Sequence, residues 1–424
     1  MVLQGGWQSV FAAALFFAGA QAGALKCDKL IDVNTGKIFT DQAIVFDKDG
    51  VITAVGPAAA MQLPADTISL PGRTCLPGLI DVHVHLTGDA TDHGYQSLGV
   101  SVPAEAIKGV KNARITLMAG FTTVRNVGAG GFTDVALRDA VVAGDVPGPR
   151  MQVSGPMISI TGGHGDNNLL PYEYHRTDEG VADGPWALRA KVREIVKYGA
   201  DLIKIAASGG VLSKGDSPGA EQLTLEEMQA IVAEAHKLGR KVAAHAHGTQ
   251  AIKDAILAGV DSVEHASLID PEGISLARSH GTYLVFDIYN DDFILAEGPS
   301  HGMLPESIVK ERLIGRLQRE NFKKAFQGGD KMAFGTDAAV YPHGDNAKQF
   351  AKMVEWGMQP IDALRAATIN AADLMGWKDK VGALAPGHYA DIIAVAGNPL
   401  EDVTTLEHVG FVMKGGQVVK NTAP

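Results

Sequence analysis

Residues 77–85 read Pro77-Gly78-Leu79-Ile80-Asp81-Val82-His83-Val84-His85, and this stretch indicates both the fold and the chemistry. Its apolar run predicts a buried strand that ends in two histidines. Side chains two positions apart lie on the same face of a strand, so His83 and His85 can bind one metal ion together. The stretch therefore predicts a strand with a metal-binding pair at its C-terminal end.

Seven further apolar runs lie downstream, and segments with helical spacing, such as 224–238 and 248–258, alternate with them. The seven runs are 121–125, 151–154, 201–206, 241–245, 260–265, 282–287 and 331–336. Alternation of strand and helix indicates parallel βα units. Eight such units between residues 77 and 381 predict an α/β fold, a (β/α)8 TIM-like barrel.

The segments on either side of the barrel, residues 25–76 and 382–424, have a different pattern. Both contain short strand-like runs separated by turn signals such as Asp49-Gly50 and Gly415-Gly416. Chain ends often meet in folded domains. We therefore expect the two segments to pair in a small β-sandwich domain.

The chain has 424 residues, with 48 acidic and 37 basic side chains and a formal net charge of −11. An acidic chain without basic clusters argues against binding to nucleic acid. No stretch after the first 24 residues is long and apolar enough to span a membrane. We therefore expect a globular protein whose partner is a small molecule.

Residues 1–24 contain an apolar, alanine-rich run at 9–20, followed by A-x-A cleavage patterns. This pattern predicts a signal peptide and export, to the periplasm or as a secreted protein, although the start lacks a basic residue. The two cysteines, Cys27 and Cys75, could pair in an oxidising compartment. We expect two separate buried thiols, with the pairing kept as the alternative.

Six residues that suit a hydrolytic metal site lie at or near the ends of five predicted strands. They are His83, His85, Lys204, His245, His265 and Asp337. Catalytic groups of (β/α)8 barrels lie at the C-terminal ends of the strands. A single histidine at a strand end is more often structural, but six suitable residues on five strand ends do not fit that explanation. The set therefore predicts a metal site with histidine and carboxylate ligands.

Lys204 lies within the apolar run 201–206 and is predicted to face the barrel interior with Leu202 and Ala206. A buried ammonium group costs several kcal/mol unless it is paired, and metal ions beside it would repel it. Carbamylation by carbon dioxide would give an anion whose two oxygens can bridge two ions. A neutral lysine, or one paired with an acid, is the alternative. We expect two divalent ions, with zinc favoured by the histidines and manganese or cobalt as alternatives.

Five motifs, in this order along the chain, resemble those of the amidohydrolase superfamily. They are the stretch 77–85, Lys204 within 199–205, His245-Ala246-His247-Gly248, Glu264-His265-Ala266 and Gly335-Thr336-Asp337-Ala338. The resemblance extends over residues 26–424 and points to the imidazolonepropionase-like branch. Within that branch, segments 161–166 and 341–344 are similar to those of binuclear Xaa-Pro dipeptidases, related carboxypeptidases and ochratoxin-hydrolysing amidases.

The resemblance implies that the two histidines of the stretch 77–85 hold one metal ion together with Asp337. It implies that His245 and His265 hold the other ion, with carbamylated Lys204 between the two. A hydroxide that bridges the ions would attack the amide carbonyl. Asp337 would take its proton and pass it to the leaving nitrogen.

Four further residues are candidates for contacts with the substrate: His164, His247, Tyr289 and His343. His164 and His247 are also candidate catalytic residues, because a histidine donor near the outer metal would stabilise the oxyanion. A role in holding loops or ligands is the alternative for the three histidines. A packing role is the alternative for Tyr289.

The motifs together predict a metal-dependent hydrolase that cleaves the amide bond of N-acyl amino acids or dipeptides. The resemblance implies an Xaa-Pro dipeptidase, a carboxypeptidase or an ochratoxin-type amidase, and a homo-oligomer. A mononuclear cyclic amidine or imidazolone hydrolase is an alternative, but such relatives do not need Lys204. An esterase, lactonase or phosphotriesterase can use the same ligands. A non-catalytic scaffold is disfavoured because no ligand position is lost.

Overall fold

Strands and helices alternate through most of the computed structural model, which describes residues 23–422. The strands are β1 (Gly23–Asp32), β2 (Lys37–Phe46), β3 (Ile52–Pro57), β4 (Ile68–Pro77), β5 (Leu79–Val84), β6 (Phe121–Asn126), β7 (Arg150–Val153), β8 (Leu202–Ala206), β9 (Lys241–Ala246), β10 (Ser262–His265), β11 (Tyr283–Val285), β12 (Ile392–Ala396), β13 (Phe411–Lys414) and β14 (Gln417–Asn421). The helices are α1 (Val102–Met118), α2 (Thr133–Ala143), α3 (Pro185–Lys197), α4 (Leu225–Lys237), α5 (Thr249–Ala258), α6 (Pro271–His280), α7 (Asn290–Ala296), α8 (Pro305–Gly328), α9 (Lys348–Glu355), α10 (Pro360–Ala366) and α11 (Ile369–Met375). Within the described residues, no helix has the length and apolar character that crossing a membrane requires.

The predicted signal peptide lies outside the described residues, except for its last two positions, Gly23 and Ala24. These two residues begin β1, and Ala24 is buried opposite Val45 of β2. The boundary that the sequence predicts after residue 24 therefore falls inside a strand.

The two ends of the described chain meet in one seven-stranded sheet with the order β14-β13-β12-β4-β1-β2-β3. The connection between them is the antiparallel pair of β12 and β4, in which Ala394 lies opposite Cys75. The predicted boundary at residue 76 falls at the end of β4, and that at 382 falls between α11 and β12. That this sheet belongs to a β-sandwich stays a prediction.

The structure joins Cys27 of β1 to Cys75 of β4 by a disulfide bond. Our expectation of two separate thiols was therefore wrong. The two strands are parallel neighbours, and their register places Leu30 opposite Cys75 and Cys27 opposite Leu70. A register shift between Cys27 and Lys29 interrupts the pairing, and sequence patterns do not report the partner or register of a strand.

The central strands form two parallel sheets, β5-β6-β7 and β8-β9-β10-β11. Hydrogen bonds link the two sheets on one side, where Asp201 N donates to Val153 O and Ile158 N donates to Lys204 O. On the other side, residues 331–338 lie between β11 and β5. The sheets are thus linked at both edges in a barrel-type arrangement, without one continuous ladder.

The eighth predicted strand, residues 331–336, is not a regular strand in the structure. It makes isolated parallel bridges through Met332 to Leu284, and Ala338 just beyond it makes one to Val84. The ladder is interrupted because Phe334 N donates to Ala366 O of α10, while the side chain of Gln349 donates to Gly335 O. The pairing is thus partial, since Leu284 N still donates to Lys331 O and Val82 N to Phe334 O.

The inner strands alternate between the helix layer and the barrel interior. In β8, Ile203 and Ile205 belong to the largest buried apolar cluster, together with residues of α4 such as Ile231. Leu202 and Lys204 have the opposite parity and face the interior. The inward direction predicted for Lys204 follows from this alternation.

Reduction of the disulfide should lower the melting temperature of the protein. The bond links cysteines 48 positions apart, and restriction of the unfolded chain predicts a stabilisation of about 4 kcal/mol. Melting curves with and without a reductant test this effect. A Cys27→Ala/Cys75→Ala variant should not respond to the reductant. Two reactive thiols in the denatured, unreduced protein would show that the bond does not form.

Candidate metal centre

The six residues predicted as metal ligands all line one cavity of about 360 Å³. One lies on β5, one directly after β5, one each on β8, β9 and β10, and the last directly after residue 336. The six are His83, His85, Lys204, His245, His265 and Asp337. The structure therefore brings together the complete set that the sequence predicts, at the C-terminal ends of the strands.

His83 and His85 each use one ring nitrogen to fix the ring and direct the other toward Asp337. Nδ1 of His83 lies 3.0 Å from Oε2 of Glu264, and Nδ1 of His85 lies 3.0 Å from Gly128 O. Their Nε2 atoms lie 3.4 Å and 3.1 Å from Oδ1 of Asp337. A held nitrogen opposite a free one is the arrangement that fixes the tautomer of a metal-ligating histidine.

His245 and His265 show the same arrangement on the neighbouring strands. Nε2 of His245 lies 3.1 Å from Gly209 O, and Nδ1 of His265 lies 2.9 Å from Oδ2 of Asp287. Burial, reinforced by the surrounding histidines, holds the pKa of His245 well below its usual range. The ring is therefore neutral, which is the form that binds a metal ion.

His265 and Asp337 both have left-handed backbone conformations, with φ of 66° and 57°. Residues other than glycine adopt this region at a cost of order 1–3 kcal/mol each, and such residues concentrate at functional sites. At Asp337 the turned backbone is held because its N–H and that of Thr336 both donate to His83 O. The conformation directs the carboxylate toward His83 of β5 and His85, which directly follows it.

Lys204 is buried and has no carboxylate within 4.0 Å among the described residues. Its Nζ lies 3.4 Å from Nε2 of His83. Burial lowers the pKa of the Lys204 ammonium to about 8. The amine is thus more often neutral than that of an exposed lysine.

The candidate ligand atoms fall into two compact groups, each with atoms within 4.8 Å of one another. One group contains His83, His265 and Asp337, and the other contains His245, His247 and His265. Neutral imidazoles with one carboxylate suit zinc and similar divalent ions. The residues present therefore fit a metal centre, and His247 joins the residues that could bind it.

Glu264 is a buried residue of the site to which the sequence analysis gave no role. It accepts from Nη2 of Arg125 at 2.8 Å and holds His83. Burial opposes its ionisation, but Arg125 and His83 hold the pKa of Glu264 well below its usual range. Opposite charges inside two apolar strands were a signal that could have found this pair, since buried charges need partners.

Asp287 is the second such residue, and it fixes His265. Its Oδ1 accepts from Nε2 of Gln318 at 2.6 Å, and Asn290 donates to its Oδ2 at 2.6 Å. Gln318 also donates to His265 O at 3.2 Å. These partners come from α7 and α8, so the strand pattern contained no signal for them.

His164 and His247 both line the cavity beside the predicted ligands. The ring of His164 stacks on that of His245 at 4.0 Å between centroids, and its Nδ1 lies 2.8 Å from Ser213 Oγ. Burial lowers the pKa of His164 to about 4. Nδ1 of His247 lies 2.8 Å from Ser267 Oγ. Each Nε2 has no hydrogen bond within residues 23–422 and is available to a ligand.

Tyr289 and His343 are not among the described residues that line the cavity. The ring of Tyr289 packs edge-on against Tyr341, with 4.9 Å between centroids. Nε2 of His343 lies 3.2 Å from Gly88 O, and Gly88 itself lines the cavity. His343 thus lies one layer behind the wall, and the contact of either residue with substrate stays a prediction.

Comparison with known proteins identifies one protein family and several relatives that the chain resembles. The family model described as "Amidohydrolase family" matches residues 74–419. Ochratoxinase of Aspergillus niger is 34% identical over 415 residues, which cover 91% of this chain and 84% of that protein. Imidazolonepropionase of Symbiobacterium thermophilum is 24% identical over 394 residues, covering 88% of this chain and 87% of that protein.

A solved structure of an Xaa-Pro dipeptidase with bound methionine in its active site is similar over nearly the whole chain. The TM-score is 0.87 at 37% identity, and the match covers 95% of this chain and 100% of that one. The resemblance drawn from the motifs is confirmed. The mixed α/β fold is of the barrel type found in these relatives.

Asp287→Asn should weaken metal binding by about 10- to 100-fold, because the amide no longer favours the tautomer that His265 needs. Competition for metal with a chromophoric chelator measures the affinity. Asp254→Asn on the exposed side of α5 is the matched control and should bind metal as the wild type does. Equal affinities in all three proteins would show that Asp287 does not support a metal ligand.

Proposed function

Because the chain belongs to the amidohydrolase family, we propose that it is a binuclear metal-dependent hydrolase. Its substrates would be N-acyl amino acids or dipeptides, and the bond cleaved would be the amide. The relatives support the bond type: one is named ochratoxinase and another is an Xaa-Pro dipeptidase. A cavity of about 360 Å³ has the size of a small-molecule site.

The observation that carries this proposal is Lys204, a buried lysine without a carboxylate partner among ligands for metal ions. An unpaired ammonium group next to two cations would be repelled by them. Carbamylation replaces it with an anion that can bridge the two ions. The bridging anion and Asp337 would bring two negative charges, which offset half of the four positive charges of two divalent ions.

His83, His85 and Asp337 would hold one ion, and His245 and His265 the other. His247 lies close enough to the second pair to bind metal as well, as the second compact ligand group indicates. Zinc suits these ligands best, and manganese or cobalt would also fit. The ions, when bound, supply an activated water and polarise the amide carbonyl.

The remaining steps belong to side chains of the chain itself. Asp337 lies beside both histidines of β5, so its carboxylate can accept the proton of the attacking water and pass it to the leaving nitrogen. His247 has a free Nε2 atom and, where that nitrogen does not bind metal, can donate a hydrogen bond to the oxygen that develops negative charge. The Ser213 hydroxyl donates to Asp216, so the Nδ1 proton of His164 goes to Ser213 Oγ, and His164 would donate from Nε2 only as an imidazolium. The Ser213 and Ser267 hydroxyls would hold these two rings in orientation.

A mononuclear amidine or imidazolone hydrolase is the second candidate, and the imidazolonepropionase relative supports it. Lys204 disfavours it, because a single metal site does not need a bridging anion. An esterase, lactonase or phosphotriesterase would use the same ligands. The names of the more similar relatives favour amides over these esters.

We also propose that the protein is exported. The disulfide between Cys27 and Cys75 supports this, because such bonds persist in oxidising compartments.

Lys204→Ala should lose most amide hydrolysis and bind fewer than two metal ions per chain, because the bridging anion is lost. Short-chain carboxylic acids should partly restore activity by replacing the carbamate. Metal analysis and rates on the same samples provide the measurement. Lys253→Ala, at a partly buried surface position of α5, is the control and should behave as the wild type. Full activity in Lys204→Ala, or one metal ion in the wild type, would contradict the bridging lysine.

A substrate panel should separate carboxypeptidase from general amidase activity. If the enzyme recognises a free C-terminal carboxylate, amidation of that group should lower kcat/KM at least tenfold, because a charged hydrogen bond is lost. The panel should contain N-acyl amino acids, Xaa-Pro and Xaa-Arg dipeptides, their C-terminal amides, a lactone and a phosphotriester. Equal rates on acid and amide would indicate a general amidase. Faster turnover of the lactone or phosphotriester would overturn the amide proposal.

A further inference from the structure

Glu311 is a buried carboxyl group in the cavity wall for which the proposed chemistry has no use. It lies on α8, lines the cavity and is only 4% exposed. Within residues 23–422 it makes no hydrogen bond and no ion pair. Burying an ionised carboxyl group without a partner costs several kcal/mol. A partner from outside the chain would remove this cost.

The basic side chains next to Glu311 are committed to other groups. Nζ of Lys310 lies 2.7 Å from Oδ1 of Asp216 and also donates to backbone oxygens of the segment after β8. Nη1 of Arg319 lies 3.0 Å from Oδ2 of Asp291. Neither cation forms an ion pair with Glu311, so neither would balance its negative charge when the carboxyl group ionises.

A second carboxyl group converges on the same place. A Cβ at Gly315 would lie 2.3 Å from Oδ1 of Asp291 and 2.5 Å from Oε1 of Glu311, so both oxygens occupy the space above this glycine. Burial, followed by the charges of Asp291 and Asp287, raises the pKa of Glu311 to about 8. Without a cation the protonated form of Glu311 is therefore favoured near neutral pH, and a cation bound beside it would stabilise the carboxylate.

The distance between Glu311 and the metal centre suits a charged group at the end of a substrate side chain. Gln318 follows Glu311 by seven residues on the same face of α8 and contacts His265 O. At 1.5 Å per residue, the two helix positions are about 10 Å apart. The α-amino group of a dipeptide lies about 3.5 Å from the scissile bond. This distance is too short for the amino group to reach Glu311. A long basic side chain can span the distance, with Ile294 and Ile314 of the wall against its aliphatic part.

We propose that Glu311 binds the positively charged side chain of a substrate residue and selects basic substrates over neutral ones. This inference rests on the proposed amide hydrolysis, whose substrate class it narrows to peptides or N-acyl amino acids with an ammonium or guanidinium side chain. The carboxylate and the cation would form a charge-assisted hydrogen bond inside the cavity.

Two matched substrate pairs test the proposal, because arginine and citrulline differ mainly in charge. The first pair is N-acetyl-methionyl-arginine and N-acetyl-methionyl-citrulline; the second is N-acetyl-arginyl-methionine and N-acetyl-citrullinyl-methionine. The metal-loaded wild type should prefer the arginine member of one pair by about tenfold or more in kcat/KM, chiefly through KM. The pair that shows the preference identifies the side of the amide that faces Glu311.

Glu311→Gln should remove this preference, so that the ratio of kcat/KM for the arginine substrate over its citrulline partner falls close to one. Glu320→Gln is the matched control, because Glu320 lies on the same helix but pairs with the exposed Arg316 at the surface. Calorimetric binding of N-acetyl-arginine and N-acetyl-citrulline to the wild type gives a readout that requires neither turnover nor a folded variant. Tighter binding of the arginine compound is expected.

The outcomes separate the two proposals. Equal rates and equal binding for arginine and citrulline compounds, or a preference that survives in Glu311→Gln, would overturn the role of Glu311 while amide hydrolysis stands. If the metal-loaded protein cleaves none of the four amides and hydrolyses an ester or lactone instead, the amide proposal fails and this inference fails with it.

Discussion

The buried ion pair of Arg125 and Glu264 is the interaction on which the geometry of the metal centre depends. Arg125 belongs to β6, on one of the two parallel sheets, and Glu264 belongs to β10 on the other. Their 2.8 Å contact therefore ties the sheets together across the barrel interior. Arg125 also donates from Nε to Val82 O at 2.6 Å, and Glu264 holds the ring of His83. Removing either charge would leave the other buried and unpaired, at a cost of about 3–5 kcal/mol.

The need to pair buried polar groups also explains how the other histidine rings are held. A metal centre needs neutral imidazoles with a free nitrogen, yet a buried imidazole also needs a hydrogen-bond partner. The structure satisfies both by holding one nitrogen of each ring with a carboxylate, a hydroxyl group or a backbone oxygen. The left-handed residues His265 and Asp337 belong to this arrangement, because a regular strand would continue past the centre instead of turning a ligand toward it.

The strand pattern and the ligands at its ends could be predicted from sequence because both are local. Alternation in β8 correctly placed Lys204 inside, and the six ligand candidates reached one cavity because parallel strands end on the same side. The eighth strand is only partly formed, since Phe334 N donates to α10 and Gly335 O accepts from Gln349, partners that no local pattern shows. The disulfide was missed for a related reason: it depends on which strand lies beside β1 and in what register.

Three buried carboxyl groups have positions or partners that the sequence analysis did not predict: Glu264, Asp287 and Glu311. The rule that identified Lys204, that a buried charge needs an explanation, applies to all three. For Glu264 an apolar run already indicated burial, but the burial of Glu311 and the partners of Asp287 are visible only in the folded chain. Glu264 and Asp287 each hold a histidine of the metal centre, whereas Glu311 has no partner in the part of the chain that the structure describes. The hydrogen bonds of α8 to the segments around His265 and Asp287 come from Gln318, Arg319 and Asn321. Glu311 makes none of them, so a change at this position does not remove a contact that holds a ligand. The chemistry is thus fixed by the strands, and the choice of substrate can vary on α8.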